Sequence, residues 1–229
     1  MNADHNSTAT IMIVDDHPIV ANGIQQLIDR EPDMKVSTSV QDAEGAIKAI
    51  EKNSPDLIIV DISLKGSTNG IDLIKGLKKR YPKIKALVLS MHDENLYAER
   101  AIKAGAKGYV MKNDLMDNII RAIRTILNGN LYLSENITAR LLNNMVNNTG
   151  ADDSNVINTL SDREFEVFQY ISNGIKTGDI AKAMNISVKT VEAHKLRIKS
   201  KLDIPTSTAL TKYAVEWKHK NPSYNPSGK

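Results

Sequence analysis

The sequence predicts an α/β protein in two parts: a doubly wound, five-stranded parallel sheet, then a small all-α module of four helices. Three observations predict it. Short β-branched apolar runs alternate with helical segments through the first half of the chain. A polar stretch, Asn147-Asn148-Thr149-Gly150-Ala151-Asp152-Asp153-Ser154-Asn155, then interrupts all periodicity. After it, helical patterns continue and no strand pattern returns.

Ile11–Val14, Lys35–Thr38, Leu57–Val60, Ala86–Leu89 and Gly108–Met111 read as strands. Helical candidates lie near 18–30, 42–53, 70–80, 94–104 and 114–128. Five such units imply parallel strands with helices on both faces. Leu57-Ile58-Ile59-Val60 and Leu87-Val88-Leu89 are continuously apolar, as strands covered on both faces should be. Gly105 falls where a helix should end. A further helix runs from Ser134 to Asn147, with Ser134 as N-cap and Ile137, Leu141, Leu142 and Met145 on one face. The polar stretch is expected to be a flexible linker. Beyond it, Ser161 and Glu164 form a capping box that opens a helix to about Ser172. A short second helix spans about 178–184, a third runs from Ser187 to about Lys201, and a fourth from Ser207 to about Trp217. The expected organisation is a sheet domain at 9–128, a linker helix and flexible linker at 129–158, and a helical module at 159–223.

Composition narrows the function. Of 229 residues, none is cysteine, which excludes disulfides, thiolate zinc sites and a cysteine nucleophile. No apolar run approaches the ~18 residues of a spanning helix, and the polar first ten residues do not resemble a signal peptide. A cytoplasmic protein without membrane contact is expected. The net charge of +3 decides nothing, but its distribution does. Residues 1–128 hold 17 basic and 17 acidic side chains, whereas residues 176–201 hold seven basic and two acidic ones. Such a local excess suits a polyanion, though it would equally suit a solvated helix face.

In an open α/β sheet, the loops after the strands line the functional crevice. Here they carry Asp15 and Asp16 after strand 1, Asp61 after strand 3, Ser90 after strand 4 and Lys112 after strand 5. Clustered carboxylates repel one another unless a cation binds, and hard oxygen ligands suit Mg²⁺. A carboxylate there can act as nucleophile toward a phosphoryl group. Lys112 can pair with the acceptor or its phosphate, and Ser90 can donate to a phosphate oxygen.

The tracts Ile13-Val14-Asp15-Asp16-His17-Pro18, Val60-Asp61-Ile62-Ser63, Leu89-Ser90-Met91-His92-Asp93 and Gly105-Ala106-Lys107-Gly108-Tyr109-Val110-Met111-Lys112 resemble the flavodoxin-like receiver domains of response regulators, in particular the NarL/FixJ type. The resemblance implies Asp61 as phosphoacceptor, with Asp15, Asp16, Asp61 and the Ser63 carbonyl as Mg²⁺ ligands. It implies that Ser90 moves toward the phosphate and that Tyr109 turns inward in the active state. A half-buried aromatic at a strand edge would explain Tyr109 equally well. The loop from Leu64 to Gly70 departs from the pattern: it lacks the usual proline and is one residue longer.

In the helical module, Ile180, Ala181 and Met184 form the apolar side of the second helix. Val188, Val191, Ile198 and Leu202 form that of the third. Lys189, Glu192, Ala193, Leu196, Lys199 and Ser200 project away from it, an arrangement that lets a helix enter a major groove. Leu160-Ser161-Asp162-Arg163-Glu164, Ile180-Ala181 and Ile186-Ser187-Val188-Lys189-Thr190-Val191-Glu192-Ala193-His194-Lys195 resemble the LuxR-type helix-turn-helix. That resemblance implies Lys189, Thr190, His194, Lys195 and Arg197 near the DNA backbone, and Glu192, Ala193 and Leu196 near base edges. His194 would alternatively pack against the neighbouring helix. The stripe Leu210, Tyr213, Ala214 and Trp217 either pairs two modules or closes the core of one.

Together these expectations describe a two-component response regulator. A partner histidine kinase would phosphorylate Asp61, with Mg²⁺ as cofactor. A homodimer would then bind a two-fold symmetric promoter site in double-stranded DNA. Two readings stand beside it. An aspartyl-phosphate phosphatase would place a second carboxylate two residues beyond the nucleophile, where this chain has Ser63. A receiver governed by protein contact alone would not need the complete acidic set.

Overall fold

A computed structural model describes residues 8–64, 68–147, 156–157 and 159–220. All but the first residue of the predicted linker, positions 65–67 of the unusual loop, and the end of the helical module at 221–223 lie outside the described residues. The chain divides into two compact units, Met1–Thr138 and Ala139–Lys229.

In the first unit the strands are β1 (Ala9–Val14), β2 (Met34–Val40), β3 (Leu57–Asp61), β4 (Lys85–Ser90) and β5 (Gly108–Met111). All pairings are parallel, in the order β2-β1-β3-β4-β5. The chain leaves β1 for one edge and returns to its other side at β3, which puts the topological switch between Val14 and Val60. The helices α1 (Pro18–Ile28) and α5 (Leu115–Leu127) share one face of the sheet. There Ile11, Ile13, Leu57, Ile59, Leu87 and Leu89 join Ile24, Ile28, Ile119 and Ile123 in one core. The alternate residues Met12, Val14, Ile58, Val60 and Val88 are buried as well and point to the opposite face. On that face run α2 (Ala43–Lys52), α3 (Gly70–Arg80) and α4 (Glu94–Ala104). Burial on both faces is why the central strands carry no polar alternation.

Local chemistry fixes the helix ends. Asp42, Asn69 and Asp93 cap α2, α3 and α4 by accepting backbone N–H groups. Gly105 ends α4 at φ +121°, a conformation L side chains avoid. A 3-10 turn at Lys112–Asp114 joins β5 to α5. After α5 the chain runs back beside β5, where Tyr132 bridges Gly108. The helix α6 (Glu135–Asn147) follows. Ser134 caps it, its Oγ accepting from the Ile137 N–H at 3.2 Å. The expected stripe on α6 is only partly apolar inward: Ile137 is buried, but Leu142 is exposed.

The second unit holds α7 (Asp162–Ser172), α8 (Thr177–Ala183), α9 (Val188–Lys201) and α10 (Ser207–Lys220). The Ser161–Glu164 capping box forms in both directions. Asn185 turns the chain between α8 and α9 at φ 52°. Val191 and Ile198 anchor α9 with no exposure. Val188 corrects the expected apolar face: at the first position of α9 it is 52% exposed, because a residue in the opening turn projects past the supporting helices.

Candidate functional site

At the switch point, β1 delivers Asp15 and Asp16, and β3 delivers Asp61. All three carboxylates are buried, at 2%, 8% and 3% exposure. One ligand-type atom from each, with one from His17, can be chosen so that all lie within 4.8 Å of one another. Lys112 reaches in from the end of β5, its Nζ 2.7 Å from Asp61 Oδ2 and 2.8 Å from Asp15 Oδ2. Burial pushes the Asp61 carboxyl above the usual carboxylate range, although Lys112 pulls the other way. Burial alone would lower the Lys112 ammonium, but Asp61 and Asp15 carry it above its ordinary value. Three carboxylates against one ammonium leave negative charge in a confined space. A buried set of hard oxygen donors of this kind fits a divalent cation such as Mg²⁺.

The structure brings the other expected residues to the same edge. Ser90, fully buried, follows Leu89, which pairs with Asp61 across β3 and β4. Ser63 donates its N–H to Asp61 Oδ1 at 3.3 Å. Tyr109 is 3% exposed and already lies inward, its hydroxyl donating to the His92 carbonyl at 2.8 Å. Burial pushes that hydroxyl up, with a hydrogen bond to Ser90 opposing.

Two histidines were not singled out from sequence. The imidazole of His17 sits among the carboxylates, its Nδ1 2.8 Å from Asp16 Oδ1 and 3.2 Å from Asp15 Oδ1. The His92 ring Nε2 lies 2.7 Å from Ser63 Oγ. Burial holds its pKa down to about 4, so the ring is neutral at ordinary pH. Both fall in the quoted tracts, but sequence spacing does not show which carboxylates or loops they meet.

In the second unit, Lys189, Thr190, Leu196 and Arg197 are exposed on α9, and Ala193, His194 and Lys199 are half-buried. Lys195 is less open than expected: its Nζ donates to Glu192 Oε1 at 2.8 Å and to Thr177 Oγ1 at 3.1 Å. The same Glu192 oxygen accepts from Thr177 at 3.1 Å. Lys195 and Glu192 therefore neutralise each other and tie α9 to the start of α8. Burial keeps the His194 ring below its usual pKa.

The C-terminal stripe requires a correction. Leu210, Ala214 and Trp217 are buried, and Trp217 meets Phe165 and Phe168 at ring-centroid distances of 6.0 and 5.5 Å. Tyr213 leans on Phe168 at 6.2 Å. The stripe closes the core of one module. Leu210, Ala214 and Trp217 are thus committed to their own core, so pairing through α10 would rest on its outer face and on half-buried Tyr213.

Among the described residues, no helix is long and apolar enough to cross a membrane. The family "Response regulator receiver domain" matches residues 11–124, and "Bacterial regulatory proteins, luxR family" matches residues 158–214. The oxygen regulatory protein NreC of Staphylococcus carnosus (strain TM300) is 34% identical over 211 residues, covering 91% of this chain and 97% of the relative. A solved LuxR-family two-component response regulator from Aurantimonas sp. SI85-9A1 shares 34% identity over 61% of this chain and 99% of its own, with a TM-score of 0.56. RcsB from Salmonella enterica serovar Typhimurium, solved bound to promoter P1flhDC with the phosphomimetic BeF3-, shares 25% identity. That likeness covers 92% of this chain and all of the other, with a TM-score of 0.60.

Proposed function

Because the chain belongs to the response regulators that join a receiver domain to a LuxR-type helix-turn-helix, we propose that phosphoryl transfer to Asp61 sets the DNA binding of its C-terminal module. The observation that carries this reading is the buried convergence of Asp15, Asp16 and Asp61 on Lys112 at the switch point of the sheet.

Asp61 is the nucleophile. One carboxylate oxygen attacks phosphorus, a P–O bond forms, and the P–N bond to the kinase's phosphohistidine breaks with the imidazole as leaving group. Asp15, Asp16, Asp61 and the Ser63 carbonyl would hold Mg²⁺, which, when bound, shields charge on the phosphoryl oxygens. Lys112 lies near enough to Asp61 to move from the free carboxylate to the phosphate. Ser90, one residue beyond the partner of Asp61, donates to a phosphate oxygen, with Tyr109 already turned inward beside it. The acyl phosphate is a signal rather than a turnover intermediate. Ser63 stands where a phosphatase would need a second carboxylate, so hydrolysis is slow.

The proposed domains are a receiver at 9–128, a linker segment at 129–158 and a DNA-binding module at 159–223, a division supported by the extents of the two family matches. The helix α9 would read the major groove. Lys189, Thr190, His194, Arg197 and Lys199 would lie along phosphates and Glu192, Ala193 and Leu196 near bases, with Lys195 available once its pair with Glu192 opens. Solved structures of RcsB include two dimers bound to two parallel DNAs, at 26% identity to this chain. By analogy this protein acts as a phosphorylated homodimer on two-fold symmetric promoter sites. It works in the cytoplasm, where its kinase and DNA are found.

The test is intact mass after incubation with Mg²⁺ and a small acyl phosphate. Wild type gains the mass of one phosphoryl group and Asp61→Asn gains none. An adduct of equal yield on Asp61→Asn would refute the assignment.

A further inference from the structure

Four tethers converge on His92, in the connection between β4 and α4. Its Nε2 lies 2.7 Å from Ser63 Oγ. Its backbone N–H donates to Ser90 Oγ at 3.0 Å. Its carbonyl accepts from the Tyr109 hydroxyl at 2.8 Å. Its ring stacks on Tyr97 with centroids 4.6 Å apart, and Tyr97 is itself 1% exposed on α4. Ser63, on the far side of the first tether, donates its own N–H to Asp61 Oδ1.

Strand pairing between β3 and β4 ends at Asp61 and Leu89. Beyond it, among the described residues, the Ser63–His92 hydrogen bond joins the two connections side chain to side chain. A histidine kept only for packing on Tyr97 would not need a ring nitrogen aimed at a hydroxyl 29 residues away in sequence. A hydrogen bond there restrains the rotamer of Ser63, whose N–H already meets Asp61 Oδ1 and whose carbonyl would be a Mg²⁺ ligand in the proposed site. Groups that orient a metal ligand contribute to affinity without touching the ion.

We propose that His92 is a positioning residue for the Asp61 site: through Ser63 it pre-sets the acceptor loop for Mg²⁺, and through its backbone it holds Ser90 and Tyr109 to that same loop. The proposal rests on the reading of the acidic pocket as a Mg²⁺ site.

Calorimetric titration of the full chain with Mg²⁺ alone tests it. His92→Ala weakens Mg²⁺ binding by about 10-fold, the lower end for removing a group that orients a ligand. Ser63→Ala, which deletes one hydroxyl and keeps the carbonyl, weakens it by a similar factor. The double variant is no weaker than either single one, because both changes remove the same bond. His92→Gln, which offers an amide to the Ser63 hydroxyl, recovers most of the loss. Thermal melting of each variant checks folding, and Ser63→Ala serves if His92→Ala does not fold. Mg²⁺ affinity unchanged in Ser63→Ala, or single losses that add in the double variant, would overturn the proposal. A wild type that takes no Mg²⁺ overturns it together with the metal reading. A wild type that takes Mg²⁺ but no phosphoryl group removes only the assignment of Asp61 as acceptor.

Discussion

Gly70 has no side chain because none fits. A Cβ there would overlap the Asp61 carbonyl and press on Val60, while the Gly70 N–H donates to Ile62 at 2.9 Å. The start of α3 is thereby held against the backbone of Asp61, the proposed acceptor. Gly70→Ala should cost about 1–3 kcal/mol by overpacking, and, by displacing the Asp61 backbone, should slow adduct formation. Denaturant melts and the rate of mass gain check both effects; wild-type values for both would refute the close approach. At this scale the sequence was legible where position alone carries meaning. Asp15, Asp16, Asp61, Ser90 and Lys112 each stand at a strand end, and parallel topology brings strand ends together. His17 and His92 were not legible as site residues, because their partners are chosen by loop geometry. Ser63 and His92 meet across 29 residues with no periodicity to announce it.

Caps and stripes carry the element scale. In α7, Glu164 closes the capping box with Ser161 and also accepts from Lys201 on α9 at 2.7 Å. Burial would raise its carboxyl, but the hydrogen bonds from Lys201 and Ser161 win and hold it below its ordinary value. A folded pKa below the unfolded one gives stability that is present above the unfolded value. It is lost as pH falls through the folded value. The difference in melting temperature between wild type and Glu164→Gln should therefore be largest near neutral pH. It should shrink at about pH 3, below the ordinary carboxylate range; a gap of constant size would show that the charge contributes nothing. The strands, helices and capping box were readable because each rests on local pattern. The stripe Leu210, Ala214 and Trp217 was readable as apolar but not as to what covers it, since a helix facing its own core and one facing a copy carry the same spacing. The Lys195–Glu192 pair was hidden for a related reason: charge spacing does not say whether a lysine meets solvent, DNA or a carboxylate one turn away. For α9 as recognition helix, Lys199→Glu should weaken DNA binding across sequences and reduce the slope of log affinity against log salt by about 1 or more. An unchanged slope would place the helix elsewhere.

The two units are built in different ways. The first is a sheet whose strands are buried on both faces, so its loops, rather than its surfaces, are left to do chemistry. The second is a small helical bundle whose core is completed by aromatic contacts between α7 and α10, leaving the polar side of α9 exposed. The change of periodicity across the polar stretch told two parts apart. The division between compact units falls earlier, between Thr138 and Ala139 within α6, where the helical pattern continues without a break. The traffic between them is where sequence falls silent, since a coupling depends on which surfaces meet in each state rather than on any one residue. The central claim, that phosphate on Asp61 governs DNA binding, is therefore tested on the whole molecule. Affinity for promoter DNA is measured at fixed salt, with and without Mg²⁺ and acyl phosphate, for wild type and Asp61→Asn. Tighter binding of phosphorylated wild type, with no response from Asp61→Asn, is the predicted result; equal affinity of wild type in both conditions, despite a full phosphoryl adduct, would contradict it.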